Sequence, residues 1–291
     1  MTRSKLWRIL LSTVLVSGLL LGLCGPAAAG DKGKVDLIYV EWSSEVASTN
    51  VVKAVLENMG YDVELTPVSA AAMWQGVASG DADGLVAAWL PTTHGHYLKK
   101  VEGKVVDLGP NLVGTKIGWV VPDYVTIDSI AQLNANAAKF DGKIIGIDPG
   151  AGLMSKSEKA MKAYDLSKFE LMDGSGATMT AALADAIKNH KWIVVTGWTP
   201  HWMFARWKLK YLKDPKDIFG GEEEIHTIVR KGLKKDKPEV YYVLDHFKWT
   251  PEDMAEVMVW NTEKGASPYK NAQRWVKENP DKVKKWLPPS K

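Results

Sequence analysis

The sequence predicts an α/β fold built as two similar lobes with a cleft between them. Three observations support this. Apolar, β-branched runs alternate with helix-forming segments, a βαβαβ plan occurs twice, and each occurrence closes on a strand followed by Trp-x-Pro. In open α/β sheets, ligands bind outside the carboxyl ends of the strands, so the residues at those ends are the place to look for function.

The chain opens on a targeting segment. Arg3, Lys5 and Arg8 precede an apolar run from Ile9 to Leu23, and Pro26-Ala27-Ala28-Ala29 follows before Gly30. This pattern predicts a signal peptide over 1–29, cleaved after Ala29, and a periplasmic mature chain. The run falls short of the about 20 apolar residues that a spanning helix needs. The single cysteine, Cys24, lies in this segment. A lipid anchor there is disfavoured, because bulky Leu23 stands where such signals carry a small residue. Cleavage removes three basic residues and no acidic one, taking the formal net charge from +3 to about 0. A nucleic-acid partner is not expected, since that needs a basic stripe. The lysines of Lys231–Lys237 and Lys277–Lys285 are interrupted by other residues and read as solvated helix faces.

The first half begins with Val35–Val40, an apolar run suited to a buried parallel strand. Ser48-Thr49-Asn50 offers caps for a helix over Val51–Met59, ended by Gly60. Asp62–Val68 reads as a strand, Ala70–Ser79 as a helix stopped by Gly80, and Gly84–Ala88 as a strand leading to Trp89-Leu90-Pro91. The second half follows the same plan. Lys143–Ile147 is a strand, Asp148–Gly152 a loop, Met154–Tyr164 a helix, Phe169–Met172 a strand, Thr178–Asn189 a helix, and Trp192–Thr196 a strand before Gly197-Trp198-Thr199-Pro200. Lys116–Val121 and Ile225–Val229 are candidate strands crossing between lobes. They give one lobe over 33–115 plus 232–291 and a second over 120–228. Thr250-Pro251-Glu252-Asp253 caps one C-terminal helix and Asn279-Pro280-Asp281 starts the last. This region is expected to pack on the first lobe as scaffold.

The residues after four of these strands are Glu41-Trp42, Trp89, Asp148-Pro149-Gly150 and Gly197-Trp198, so three of four strand ends carry a tryptophan. The chain holds 13 tryptophans, and most of the others, such as Trp207, Trp249, Trp260, Trp275 and Trp286, read as packing residues beside apolar neighbours. Trp42, Trp89 and Trp198 differ by their shared position. A quaternary ammonium has no N–H to donate and is weakly hydrated. Indole faces attract it by about 0.5–2 kcal/mol each, and three of them can surround one trimethylammonium group. At the other end, the glycines of Gly150-Ala151-Gly152-Leu153 lead from a strand into a helix, where backbone N–H groups can approach an anion. His94 can add a hydrogen bond or a positive charge. His94-Gly95-His96 has no third ligand, so neither a metal nor another cofactor is expected.

The stretches YVEWSSEVASTN (39–50), AAWLPTTHGHY (87–97), IGIDPGAGLMSKSEKAM (145–161), VTGWTPHWMFARWKLKYL (195–212) and EEIHTIVRKG (223–232) resemble the glycine betaine/proline betaine-binding proteins of bacterial ABC importers. The resemblance covers nearly the whole mature chain. It implies the two-lobed periplasmic binding protein fold of type II, with glycine betaine or proline betaine as ligand and a membrane permease as partner. It further implies that Trp42, Trp89 and Trp198 form a prism around the ammonium group. The backbone N–H groups of Gly152 and Leu153, with His94, then hold the carboxylate. Leu153 stands where isoleucine is common, which matters little for a backbone contact. A choline or carnitine receptor of the same fold is the alternative. Choline lacks a carboxylate and favours an acid near the cage, for which Glu41, Glu45 and Asp148 are at hand. A secreted hydrolase using His94 or His201 is a third reading. It lacks a nucleophile elbow or paired carboxylates, so the chain is expected not to be an enzyme.

Overall fold

A computed structural model describes residues 32–289. The signal peptide, its cleavage site and Cys24 lie outside the described residues. The first βαβαβ unit runs β1 (Lys34–Tyr39), α1 (Ser43–Asn58), β2 (Asp62–Pro67), α2 (Ala70–Ser79) and β3 (Gly84–Leu90), followed by the short α3 (Gly95–Lys100). The long β4 (Val105–Pro122) leads into the second unit: β5 (Lys143–Ile145), α4 (Gly152–Ala163), β6 (Glu170–Met172), α5 (Gly176–Lys188), β7 (Val194–Thr199) and α6 (Trp202–Arg206). The chain continues with β8 (Leu209–Tyr211), β9 (Glu223–Arg230), α7 (Leu233–Asp236), α8 (Pro238–His246), α9 (Pro251–Asn261), α10 (Pro268–Glu278) and α11 (Pro280–Lys284).

The strands hydrogen-bond in the order β2-β1-β3-β9-β4-β7-β5-β6, with β8 also on β4. β1 is parallel to β2 and β3, and β5 is parallel to β6 and β7. β4 joins the two groups. Its first part, Val105–Thr115, pairs with β9, and its second part, Lys116–Pro122, pairs with β7 and β8. The Lys116–Val121 stretch is thus the second part of a strand three times as long. Irregularities between Asp107 and Pro110, Pro110 and Leu112, and Val113 and Thr115 break its register. Gly109 and Gly114 take φ of +86° and +83° there, a backbone that only glycine adopts freely. Ile225–Val229 lies in β9, which pairs with β3 and with the first part of β4.

Several helices start before their cap-like residues. α1 begins at Ser43, directly after Trp42, and Ser48, Thr49 and Asn50 are buried inside it. α4 begins at Gly152 and α5 at Gly176, where Ser175 and Thr178 form a reciprocal capping box. α9 starts as expected, with Thr250 and Asp253 capping each other, but ends at Asn261. The C-terminal helices pack on the first unit, α10 against α1. Phe247, Trp249, Trp275 and Trp286 form a buried aromatic cluster there, so these tryptophans serve packing from inside the core and not from the surface.

Candidate functional site

The carboxyl ends of the two parallel strand groups face each other. Between them lies a cavity lined by all six residues singled out in the sequence: Trp42, Trp89, His94, Gly152, Leu153 and Trp198. Trp42 is the extended residue before α1, while Trp89 and Trp198 are the penultimate residues of β3 and β7. All three indoles are buried.

Each indole N–H ends on an oxygen, which fixes its ring. Trp42 Nε1 donates to Asp148 Oδ1 at 2.7 Å, from the first unit to the loop before α4. Trp198 Nε1 donates to Ser44 Oγ at 3.2 Å in the opposite sense, from β7 back to α1. Trp89 Nε1 donates to Glu45 Oε1 at 2.7 Å, and Ser44 Oγ donates to Glu45 Oε2 at 2.5 Å. With their edges engaged, the three rings are left to offer their faces. Ser44 and Glu45 line the cavity but were not among the site residues expected from sequence. Glu45 was considered there only as a partner for choline.

The cavity lining also contains donors. The residue before α4 is Ala151, whose side chain cannot cap, so the first N–H groups of that helix, on Gly152 and Leu153, have no side-chain acceptor. Thr93 packs directly on Gly152. A Cβ at Gly152 would collide with the Thr93 carbonyl oxygen and come within 2.7 Å of its Cγ2, so only glycine permits this approach. The loop carrying Thr93 and His94 is held by the buried carboxylate of Glu223, at the start of β9. It accepts from the N–H groups of Thr92 and Thr93 at 2.5 and 2.6 Å, and also from the Thr93 hydroxyl. Tyr97 Oη donates to the Gly150 carbonyl at 2.8 Å and ties α3 to the same glycine-rich turn.

The tautomer of His94 follows from its partners. Its Nδ1 accepts the Trp89 backbone N–H at 3.1 Å, so the ring proton sits on Nε2, which is buried against the cavity without a protein partner. Burial, aided by nearby His96, pushes the His94 pKa down to about 3. His94 therefore presents a neutral donor. Of the two roles open to it from sequence, the geometry supports the hydrogen bond and not the positive charge. Burial acts oppositely on Glu45, whose pKa is pushed up to about 7 against the hydrogen bonds from Ser44 and Trp89. His201, the other histidine considered for catalysis, packs edge-on against Trp198 and caps α6 through Nδ1. Among the described residues, no group of three or more His, Cys, Asp or Glu side chains is arranged to hold a metal ion.

Residues 33–278 match the family described as the substrate binding domain of ABC-type glycine betaine transport systems. The chain belongs to this family. Its members are extracytoplasmic binding proteins of importers. Among relatives, it is 48% identical over 172 residues to the glycine betaine/carnitine transport binding protein of Listeria monocytogenes, covering 55% of this chain. The chain spans 57% of the length of that protein. Among solved structures, it is similar to lactococcal OpuAC in its closed-liganded conformation complexed with glycine betaine, with TM-score 0.84 and 49% identity over 88% of this chain and 100% of that one. A choline-binding protein in complex with choline is also similar, with TM-score 0.81 and 28% identity over 87% of this chain and 91% of that one. The family and these neighbours place the chain among two-lobed α/β substrate-binding proteins of ABC importers. No helix among the described residues is long and apolar enough to cross a membrane.

Proposed function

We propose that this chain captures glycine betaine, or a close quaternary-ammonium zwitterion such as proline betaine, outside the cytoplasmic membrane and hands it unchanged to the permease of an ABC importer. The observation that carries this is that one cavity is lined both by three indoles and by donors, the first N–H groups of α4 on Gly152 and Leu153 and the His94 Nε2–H. The cage suits a cation without N–H, and the donors suit a carboxylate. In this reading Trp42, Trp89 and Trp198 hold the ammonium group, and Gly152, Leu153 and His94 hold the carboxylate.

Choline is the second reading, because Glu45 places an acid beside the cage. A ligand without a carboxylate would leave the Gly152, Leu153 and His94 donors unpaired, which costs about 1–3 kcal/mol per buried group. Carnitine has the right ends but a longer body than glycine betaine. This reading involves no turnover, and His94 spends its Nδ1 on the Trp89 backbone N–H.

The lobes in this proposal are about 33–115 with the segment after about 222, and about 120–222 in place of the 120–228 expected from sequence, connected through β4. The return boundary falls near Glu223, where β9 joins the first sheet. The mature chain begins near Gly30, released into the periplasm by removal of residues 1–29. Calorimetric titration of the mature chain with glycine betaine, proline betaine, carnitine and choline tests the assignment. Glycine betaine or proline betaine should bind tightest and be recovered unchanged. A preference for choline would overturn it.

A further inference from the structure

Glu45 lies in the first turn of α1, is 1% exposed, and lines the cavity. Its two oxygens organise more of the cage than any other side chain. Oε1 receives the Trp89 indole N–H, and Oε2 receives the Ser44 hydroxyl, whose oxygen in turn receives the Trp198 indole N–H. One carboxylate therefore fixes two of the three rings, one directly and one through a single hydroxyl. An indole N–H bonded to an anion is a more electron-rich ring, so the same contact strengthens the face turned to a cation.

Among the described residues, no positive charge lines the cavity to neutralise this group. The cavity lining contains no lysine or arginine. The charged group facing Glu45 across the cleft is Asp148, which repels it, and His94, on the loop after β3, is neutral. From β4 and β7 the cavity receives only Ile117 and Trp198. The ends of α4 and α1 supply backbone dipoles. Burial is the largest influence on Glu45 and favours its protonated form, bringing the carboxyl to titrate at about 7. A cation held in the cage a few ångströms away would favour the ionised form.

We propose that Glu45 is the positioning residue and counter-charge of the cage: it gives up its proton as the quaternary ammonium enters, and as a carboxylate it locks the Trp89 and Trp198 rings against the cation. The proposal rests on the quaternary-ammonium reading of the site. Its consequence is proton-linked capture. Binding releases a proton when the free protein carries Glu45 protonated, so affinity rises with pH through neutrality, by at most about tenfold per pH unit, and levels off in alkali.

The test is titration calorimetry of the mature chain with glycine betaine between pH 5.5 and 8.5, repeated in buffers of different ionisation enthalpy to count protons. Wild type, Glu45→Gln and Glu45→Asp are compared. The zwitterion stays ionised throughout this range, and so does not contribute. In the wild type, proton release is expected below about pH 7, with Kd improving about fivefold or more from pH 6 to pH 8. Glu45→Gln keeps an acceptor for Trp89 but has no charge to develop. It should release no proton, show a flat profile, and bind about tenfold more weakly at pH 8. The isostere 3,3-dimethylbutanoate, which keeps the carboxylate but has an uncharged carbon in place of the ammonium nitrogen, should release no proton from the wild type. Absence of proton release in the wild type, with the pH profile of Glu45→Gln superimposable on it, would overturn the proposal. Should the variants lose their near-ultraviolet circular dichroism, the wild-type proton count with the two ligands decides alone. If glycine betaine fails to bind the wild type at any pH, the functional reading falls and this proposal with it.

Discussion

Replacing Gly152 by alanine should separate binding from stability. Gly152 is the first residue of α4, and its backbone lies outside the left-handed region, so alanine fits the local conformation. As a better helix former, alanine should leave the ligand-free fold as stable as before, or more stable by up to about 1 kcal/mol. The obstacle is across the cleft. The new methyl would strike the Thr93 carbonyl oxygen and come within 2.7 Å of Thr93 Cγ2 and 2.9 Å of its carbonyl carbon. These contacts are largely backbone, and Glu223 pins that backbone through Thr92 and Thr93, so the loop cannot yield. The two sides must move apart instead. That withdraws the Gly152 and Leu153 N–H groups from the ligand and strains the Trp42–Asp148 bond. Hydrogen bonds to a charged group contribute about 1.5–3 kcal/mol each. Losing the equivalent of one to two of them weakens Kd by at least about tenfold. Calorimetric affinity for glycine betaine and the thermal midpoint of the ligand-free protein measure the two halves. Affinity within about threefold of wild type, at unchanged stability, would refute the reasoning.

Alanine at Trp42, Trp89 or Trp198 should cost about 1–3 kcal/mol of binding, or about 5- to 150-fold in Kd, with phenylalanine costing less because a face remains; calorimetry on the six variants checks this. Glycine betaine should bind more tightly than 3,3-dimethylbutanoate, since equal affinity would reduce the tryptophans to shape and apolar surface. His94→Ala should weaken glycine betaine about tenfold or more and choline little, because the donor acts on the carboxylate. His94 and His201 are both held neutral by burial, with pKa near 3 against 6.5 when unfolded. Their contribution to stability is therefore complete above pH 6.5 and is lost as pH falls toward 3, by at most about 1.4 kcal/mol per pH unit for each. Between pH 4.5 and 7 Glu45 opposes this with the reverse slope. Urea unfolding of His201→Asn, which retains a capping acceptor, should show a shallower acid loss than wild type between pH 6 and 4.

The site was legible in the sequence where it follows from topology. Trp42, Trp89 and Trp198 stand at strand ends, and the rule that strand ends converge brings them together without knowledge of any contact. The glycine-rich turn was legible as a place where backbone N–H groups approach an anion, whereas the choice of Gly152 and Leu153 followed from the family resemblance. What could not be read depends on partners distant in sequence. Glu45 is recognised through its bonds to Trp89 and, by way of Ser44, to Trp198. Glu223 is recognised through Thr92 and Thr93, and neither carboxylate belongs to a local motif. In the fold, β4 was half hidden because Gly109, Pro110 and Gly114 interrupt its alternation with bulges. The start of α1 was misplaced because Ser48, Thr49 and Asn50 look like caps, yet tertiary burial holds them inside the helix.

The indole N–H groups of Trp42 and Trp198 run in opposite directions across the cleft, the first from the α1 side to Asp148 and the second from β7 to Ser44. In the proposed reading, the walls that grip the ligand are thereby also stitches that draw the two sides together. Specificity and delivery then share one set of atoms. Any substitution that reshapes the cage for a new cation also changes how firmly the shut form persists, and with it the signal that a permease reads. Drift toward a new nutrient in this lineage would have to preserve the polar edges of the tryptophans while altering their faces.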